Sequence, residues 1–420
     1  MQTLANYLVV HLFGADPATW PWTQVVYAVV MGLIGFALVN FGAITAGIFS
    51  WAERRIAARM QSRVGPNRNG PAGFLQWIAD AVKLMLKEDL IPGESDHILF
   101  RVAPYFVMVG FSCTFVVLPF ARHLVATNMD LGLFYVISIT ALVVVGILVS
   151  GWASNSKWSL FGAMRAAAQI VSYEIPGGVA LMVPVLITGT LSMQEMIRLQ
   201  SGIQGNFFTQ GGWPWNWNLF HDPAAFACFF IYFTAALAEG NRAPFDLAEA
   251  ESEIVAGYNT EYSGFRFSVF FLVEWGNVWV MSAIACTAFL GGWGIPGVSN
   301  ATLDHASGAA AVGLELATLF LFAFKTLSLC FVVIWLRWTL PRIRVDQMMT
   351  LCWKYLVPAS FAAVVFETVW TLAFARSPGV QLALGVVFFV VAGAIPLWLF
   401  AKRTYDNIGA TGDVVDLSNW

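Results

Sequence analysis

Asp246, Glu249, Glu251 and Glu253 fall within eight residues of a 420-residue chain that is only 11% charged. They close a run that begins at Glu239, and Glu261 follows shortly after. Between residues 240 and 262 the only cation is Arg242. Carboxylates gathered this way can relay protons, hold a hard cation or simply face water. A solvated acidic loop is poor in aromatics, whereas this one interleaves Pro244, Phe245, Tyr258 and Tyr262. Asp246, Glu249 and Glu253 step by 3 and 4, one helical face, with Glu251 off it. The pattern predicts an acidic helix leaning on a protein surface. Metal binding is the weaker reading, since clustered oxygens without geometry do not define a site.

Further acids lie inside long apolar runs, where a charge costs about 2.5–3.5 kcal/mol on insertion scales. Glu174 is one, followed by Pro176-Gly177-Gly178. Pro176 has no N–H to give the Ser172 carbonyl, so the sequence predicts a kink and a free carbonyl beside the carboxylate. With Ser172 and Tyr173 this reads as a small wet pocket. Glu274, Glu315, Lys325 and Glu367 also lie within apolar runs, and Glu239 ends one. Lys325 with a carboxylate would make a buried ion pair between helices. For Glu315 and Glu367 the plain alternative is a place near the interface. Glu174 and Glu274 are the acids expected to extend the acidic run into the membrane.

A third group is basic. Arg63-Val-Gly-Pro-Asn-Arg-Asn-Gly-Pro71 reads as a rigid irregular loop. In the segment Ala72–Glu88 that follows, Gln76, Asp80, Lys83 and Lys87 step by 4, 3 and 4, and Phe74, Ile78, Val82 and Met85 by 4, 4 and 3. Both are one-face helical patterns, too short and too charged to span a bilayer. A helix lying in the interface is expected, with Glu53-Arg54-Arg55 at the end of the preceding apolar run. The space between them would admit a lipid-soluble molecule sideways. The plain alternative is a surface helix that caps the bundle.

These groups need a membrane scaffold to position them. The chain is 58% hydrophobic with mean hydropathy +0.70, against about 45–50% apolar for a soluble domain. A helical span takes roughly 20 apolar residues. Nine runs qualify: Val25–Phe49, Val102–Phe120, Leu131–Gly151, Ala166–Thr188, Ala224–Ala238, Phe265–Leu290, Val312–Leu336, Tyr355–Ala375 and Val380–Ala401. Their continuity argues for helices, not an alternating barrel. The expected fold is an all-α polytopic membrane protein with about nine transmembrane helices and one interfacial amphipathic helix. With the N-terminus outside, only Arg122, Arg198 and Arg376 of the 22 Lys and Arg residues fall in outer loops, and Lys325 lies in a span. The bias predicts an outer N-terminus, a cytoplasmic C-terminus and a cytoplasmic acidic segment over 239–262. No cleavable signal is expected, because the first basic residue is Arg54. The outer loop Leu191–Pro223, with Trp213, Trp215 and Trp217, reads as interfacial. Five scattered cysteines and five scattered histidines lack the spacing of a metal or cluster site, and no phosphate loop is present. No metal site, bound cofactor, catalytic residue or nucleic-acid partner is therefore expected in this chain.

Two long motifs resemble one family, the quinone-chamber membrane subunit of bacterial NADH–quinone oxidoreductase, respiratory complex I, and its mitochondrial counterpart, subunit 1. One motif is Gly73-Phe-Leu-Gln-Trp-Ile-Ala-Asp80-Ala-Val-Lys83-Leu-Met-Leu-Lys87-Glu88, preceded by Gly65-Pro-Asn67. The other is Pro244-Phe-Asp246-Leu-Ala-Glu249-Ala-Glu251-Ser-Glu253-Ile-Val-Ala-Gly257. Ala52-Glu53-Arg54, Ser172-Tyr-Glu174, Glu261-Tyr-Ser-Gly264 and Leu340-Pro-Arg342 with Asp346-Gln347 support them. The resemblance runs from the first span to about residue 375. It implies a bacterial plasma-membrane subunit that builds half of a quinone chamber, lined by Glu53, Arg54, Arg63 and Asp80 with Lys83 nearby. It also implies a proton-responsive path through Asp246, Glu249, Glu251, Glu253 and Glu261, continuing to Glu174 and Glu274. Quinone would be the substrate, ubiquinone or menaquinone. FMN and iron–sulfur clusters would reside in partner subunits. The implied partners are peripheral-arm subunits at the quinone site and small and antiporter-like membrane subunits.

The chain divides in expectation into a domain over 1–375 and an extension over 376–420 that carries the ninth span, one more than the short bacterial form has. Two alternatives stand beside this reading. One is the equivalent subunit of an energy-converting hydrogenase or ferredoxin-fed complex. The other is a secondary transporter, for which inverted repeats are expected and none is evident.

Overall fold

A computed structural model describes residues 23–201, 210–248, 251–306 and 308–374, with parts of 383–402. Its helices, in chain order, are α1 (Thr23–Met60), α2 (Gln76–Leu86), α3 (His97–Thr114), α4 (Gly132–Ala153), α5 (Lys157–Thr188), α6 (Met193–Leu199), α7 (Pro223–Glu239), α8 (Glu251–Ile254), α9 (Gly264–Phe289), α10 (Asn300–His305), α11 (Gly308–Thr339), α12 (Val345–Thr350) and α13 (Val357–Phe374). A π-helical turn, Leu351–Leu356, joins α12 to α13. No strand occurs among the described residues, and the protein is an all-α polytopic membrane protein.

Seven helices are long and apolar enough to cross a membrane: α1, α3, α4, α5, α9, α11 and the continuous α12–α13 rod. The apolar α7 is shorter, at 17 residues, or about 25 Å at 1.5 Å per residue. Asp222 starts it by accepting the Ala225 N–H at 2.7 Å. Most of the expected ninth run, Val380–Ala401, is covered only in pieces. Phe388 and Phe389 in one piece meet Phe226 and Phe220 at 5.5 and 4.9 Å. The 376–420 extension otherwise lies outside the described residues.

The central packing is aromatic. Phe111, Phe115, Phe120 and Phe322 surround Trp279 and Phe41, with ring centroids 5.0–6.4 Å apart. Offset and edge-on rings at these distances add about 0.5–1.5 kcal/mol per pair beyond buried area.

Three local expectations change. Helix in the interfacial segment begins at Gln76, not Ala72. Gly73, at φ 69°, packs where a Cβ would lie 2.1 Å from the Pro66 carbonyl oxygen, so the backbone there is a turn. Helix α5 runs unbroken through Pro176, and the Ser172 carbonyl that the proline frees accepts the Cys352 thiol at 3.1 Å. Lys325 makes no carboxylate pair. Its ammonium donates to the carbonyls of Leu290 and Gly292 at 2.8 and 2.9 Å and lies 4.7 Å from the Trp217 ring, closing the C-terminal end of α9.

The described part of the Leu191–Pro223 loop is tied to the same end of α9. The Gln200 side chain donates to the Thr287 carbonyl and accepts from the N–H groups of Asn218 and Gly291. This cap is joined to protein on its inner side, which interfacial tryptophans alone did not imply.

Candidate functional site

Helix α2 lies across the end of α1 because of one small residue. A Cβ on Gly47 would sit 2.6 Å from Trp77 Cε3. The close approach, with α3 and α9 opposite, walls a cavity of about 720 Å³, within the range of small-molecule sites. Val39, Ile44, Met85, Met108, Phe271 and Leu272 make most of it apolar. Arg54, Asp80 and Lys83 mark a polar patch. Arg54 Nη1 donates to Asp80 Oδ2 at 2.6 Å, Gln76 Nε2 donates to Oδ1 at 3.1 Å, and Lys83 Nζ stands 4.0 Å from Oδ1. Arg101 and Arg266 reach the wall from α3 and α9.

Two expected cavity residues lie elsewhere. Arg63 is exposed and donates to Gln61 at 2.7 Å. Glu53 is buried one helical step from Arg54 and accepts Arg337 Nη1 at 2.5 Å, with Arg242 Nη1 at 3.9 Å. Arg242 Nη2 lies 3.2 Å from Glu274 Oε1, a charge contact out of line for a hydrogen bond. Glu53, Arg242, Glu274 and Arg337 thus form a neutral group of two carboxylates and two guanidinia. A charge taken out of water needs such a counter-charge. Trp275 connects this group to the cavity. Its side chain lines the cavity, and the Arg242 guanidinium sits 4.2 Å from its ring centre.

From Glu274 the polar residues continue inward. A cavity of about 20 Å³ touches Glu274, Asn277, Thr140, Asn241 and Glu239. A second, about 30 Å³, touches Glu239, Tyr232 and Glu174. Glu174 Oε1 is buried without a hydrogen-bond partner. Each cavity is large enough for about one or two water molecules.

The acidic segment is not one helix. Gln169 Nε2 donates to the carbonyls of Ala238 and Phe245 at 2.7 and 2.8 Å, pinning the chain in a turn. The Ile343 N–H holds the Pro244 carbonyl at 3.1 Å. Helix starts only at Glu251, so Asp246 and Glu253 do not share the predicted face. Asp246 instead faces Arg342 at 3.6 Å, with its Oδ1 buried and unpartnered. Glu253 accepts Arg165 at 2.6 Å from α5, which holds its carboxyl below the usual carboxylate range. Glu261 is half-buried before α9. Glu249 lies outside the described residues, and Glu251 is placed by its backbone alone.

Glu239, Arg242, Arg337 and Trp275 are site residues that sequence reasoning did not assign. Arg242 left a signal, as the lone cation inside the acidic stretch. Arg337 left none beyond its place at a span's end.

A family model described as NADH dehydrogenase matches residues 33–368. The chain belongs to the NADH dehydrogenase family. Its counterpart in the NADH-quinone oxidoreductase of Anaeromyxobacter dehalogenans is 54% identical over 415 residues, covering 97% of this chain and 98% of the relative. The counterpart in the same enzyme of Chlorobaculum tepidum is 45% identical over 346 residues, 82% of this chain and 92% of its own. That of Dehalococcoides mccartyi strain CBDB1 is 40% identical over 368 residues, 87% and 94%. All three relatives are named as the same membrane-complex subunit. The family match takes in the cavity, the buried charge group and Glu174, and stops before 376–420. The Anaeromyxobacter relative shares most of that extension.

Proposed function

We propose that this chain is the membrane subunit of a proton-pumping NADH–quinone oxidoreductase of the bacterial plasma membrane, with its N-terminus outside and C-terminus cytoplasmic. It forms the membrane-side part of the quinone chamber and the acidic path that couples quinone reduction to proton translocation. The names of its relatives support the complex, and the shared wall at Trp275 carries the coupling role. Residues 1–375 form the working domain, and 376–420 add a span.

Quinone occupies the cavity between α1, α2, α3 and α9, its tail along the apolar wall and its head toward Arg54 and Asp80. Electrons come from NADH through FMN and iron–sulfur clusters in partner subunits. This chain supplies none of those groups. Reduction to the quinol takes two electrons and two protons and passes through added negative charge. Arg54 is drawn toward that charge, and its hold on Asp80 loosens. Arg242 senses the change 4.2 Å from Trp275, and its balance between Glu53 and Glu274 shifts. Field changes in a low-dielectric interior act over several ångströms. Glu239 and Glu174 then carry the response onward toward antiporter-like partners. Asp246, Glu249, Glu251, Glu253 and Glu261 form the cytoplasmic mouth, where peripheral-arm subunits dock.

Glu239→Gln tests this reading. It joins the two small cavities while touching neither quinone nor Arg242's partners. The expected result in assembled membranes is a several-fold loss of proton pumping and quinone reduction with NADH–ferricyanide transfer intact. Full pumping in Glu239→Gln would remove the path from the mechanism.

A further inference from the structure

At the other end of α7 from Glu239 is a second group that the coupling path does not use. His221 and Asp222 precede the helix, and Glu367 comes to them from α13. One ligand atom from each lies within 4.8 Å of the other two. Glu367 is fully buried, and among the described residues neither of its carboxylate oxygens has a hydrogen-bond partner. Asp222 is buried as well. Its Oδ1 is used by the Ala225 N–H, and its Oδ2 lies 3.1 Å from His221 Nδ1. Two carboxylates packed together away from water need a counter-charge or a proton. Arginine and lysine are missing from the ion pairs of this group among the described residues.

We propose that His221, Asp222 and Glu367 bind one divalent transition cation of the zinc type. An imidazole with two carboxylates suits borderline metals. Calcium and magnesium prefer all-oxygen shells of six or more ligands. Three protein ligands leave a position for water. The His221 side chain is 23% exposed and gives the ion its way in. The positive end of α7 opposes a cation here, but it acts on Asp222 Oδ1, which already caps the helix. A bound ion fastens the start of α7 to α13, far from the quinone cavity. No motif spacing announces the site, because its ligands lie on distant parts of the chain.

The test uses the assembled complex purified from membranes, stripped with a chelator, supplied with zinc chloride and dialysed. Zinc is then counted by mass spectrometry in the wild type, His221→Ala, Glu367→Gln and Asp222→Asn. Asp222→Asn keeps the cap, since asparagine caps helices as well as aspartate. The expected result is one zinc fewer per complex in each variant that assembles. Zinc absorption spectra of the wild type should gain a site with one nitrogen and two carboxylate oxygens at about 2.0–2.2 Å. Equal zinc content in wild type and Asp222→Asn would overturn the proposal and leave Glu367 as a neutral acid sharing a proton with Asp222.

Discussion

At the residue scale, Arg54 and Arg63 separate what spacing reveals from what it does not. Both are basic residues beside the interfacial loop, yet only Arg54 reaches the cavity. Its bond to Asp80 is partly exposed, and such pairs contribute about 0–1 kcal/mol to stability. Arg54→Ala should therefore leave assembly near wild type. A lost hydrogen bond to a charged group costs about 1.5–3 kcal/mol, so the quinone KM should rise by about tenfold or more. Arg63→Ala should change that KM far less in a parallel titration. Glu253 gives a pH prediction. Its folded carboxyl titrates below its unfolded one because of Arg165, so the bridge is intact above the ordinary glutamate value of about 4.3. It is lost as pH falls through the lower folded value. Hydrogen exchange over residues 251–262 should stay flat from neutral to about pH 5 and accelerate below about pH 4, a step that Glu253→Gln removes.

At the element scale, α2 was legible in its 3–4 spacing, but its start was not. The turn at Gly73 is set by contact with Pro66, which is a tertiary fact. The acidic segment shows the same limit. Its 3–4 spacing read as helix, while Gln169, far away in sequence, fixes the stretch before it as a turn. Pro176 did mark a free carbonyl, but the thiol that takes it comes from α13's approach and has no local signal. The cavity depends on how closely α1 and α2 approach at Gly47. Gly47→Val should push Trp77 aside and narrow the slot, at about 1–3 kcal/mol for overpacking. Quinone reduction should fall several-fold while NADH–ferricyanide transfer persists. Wild-type quinone kinetics in Gly47→Val would show that the α1–α2 crossing does not shape the site.

At the scale of the whole molecule, hydropathy disclosed the spans because the bilayer forces backbone groups to be satisfied within helices. The partners of buried charges were not disclosed. Glu53, Arg242, Glu274 and Arg337 come from four parts of the chain, and only packing brings them together. What results is a cavity on one side of Trp275, a neutral charge group beside it, and two small cavities leading to Glu174. The most direct test is photolabelling of the assembled complex in membranes with a short-tail photoreactive quinone, followed by peptide mapping. The predicted labels fall in α1 near 39–54, in α2 near 77–85 and in α9 near 265–275, and excess unlabelled quinone suppresses them. Labels confined to other faces of the chain, or unmoved by competing quinone, would contradict the account.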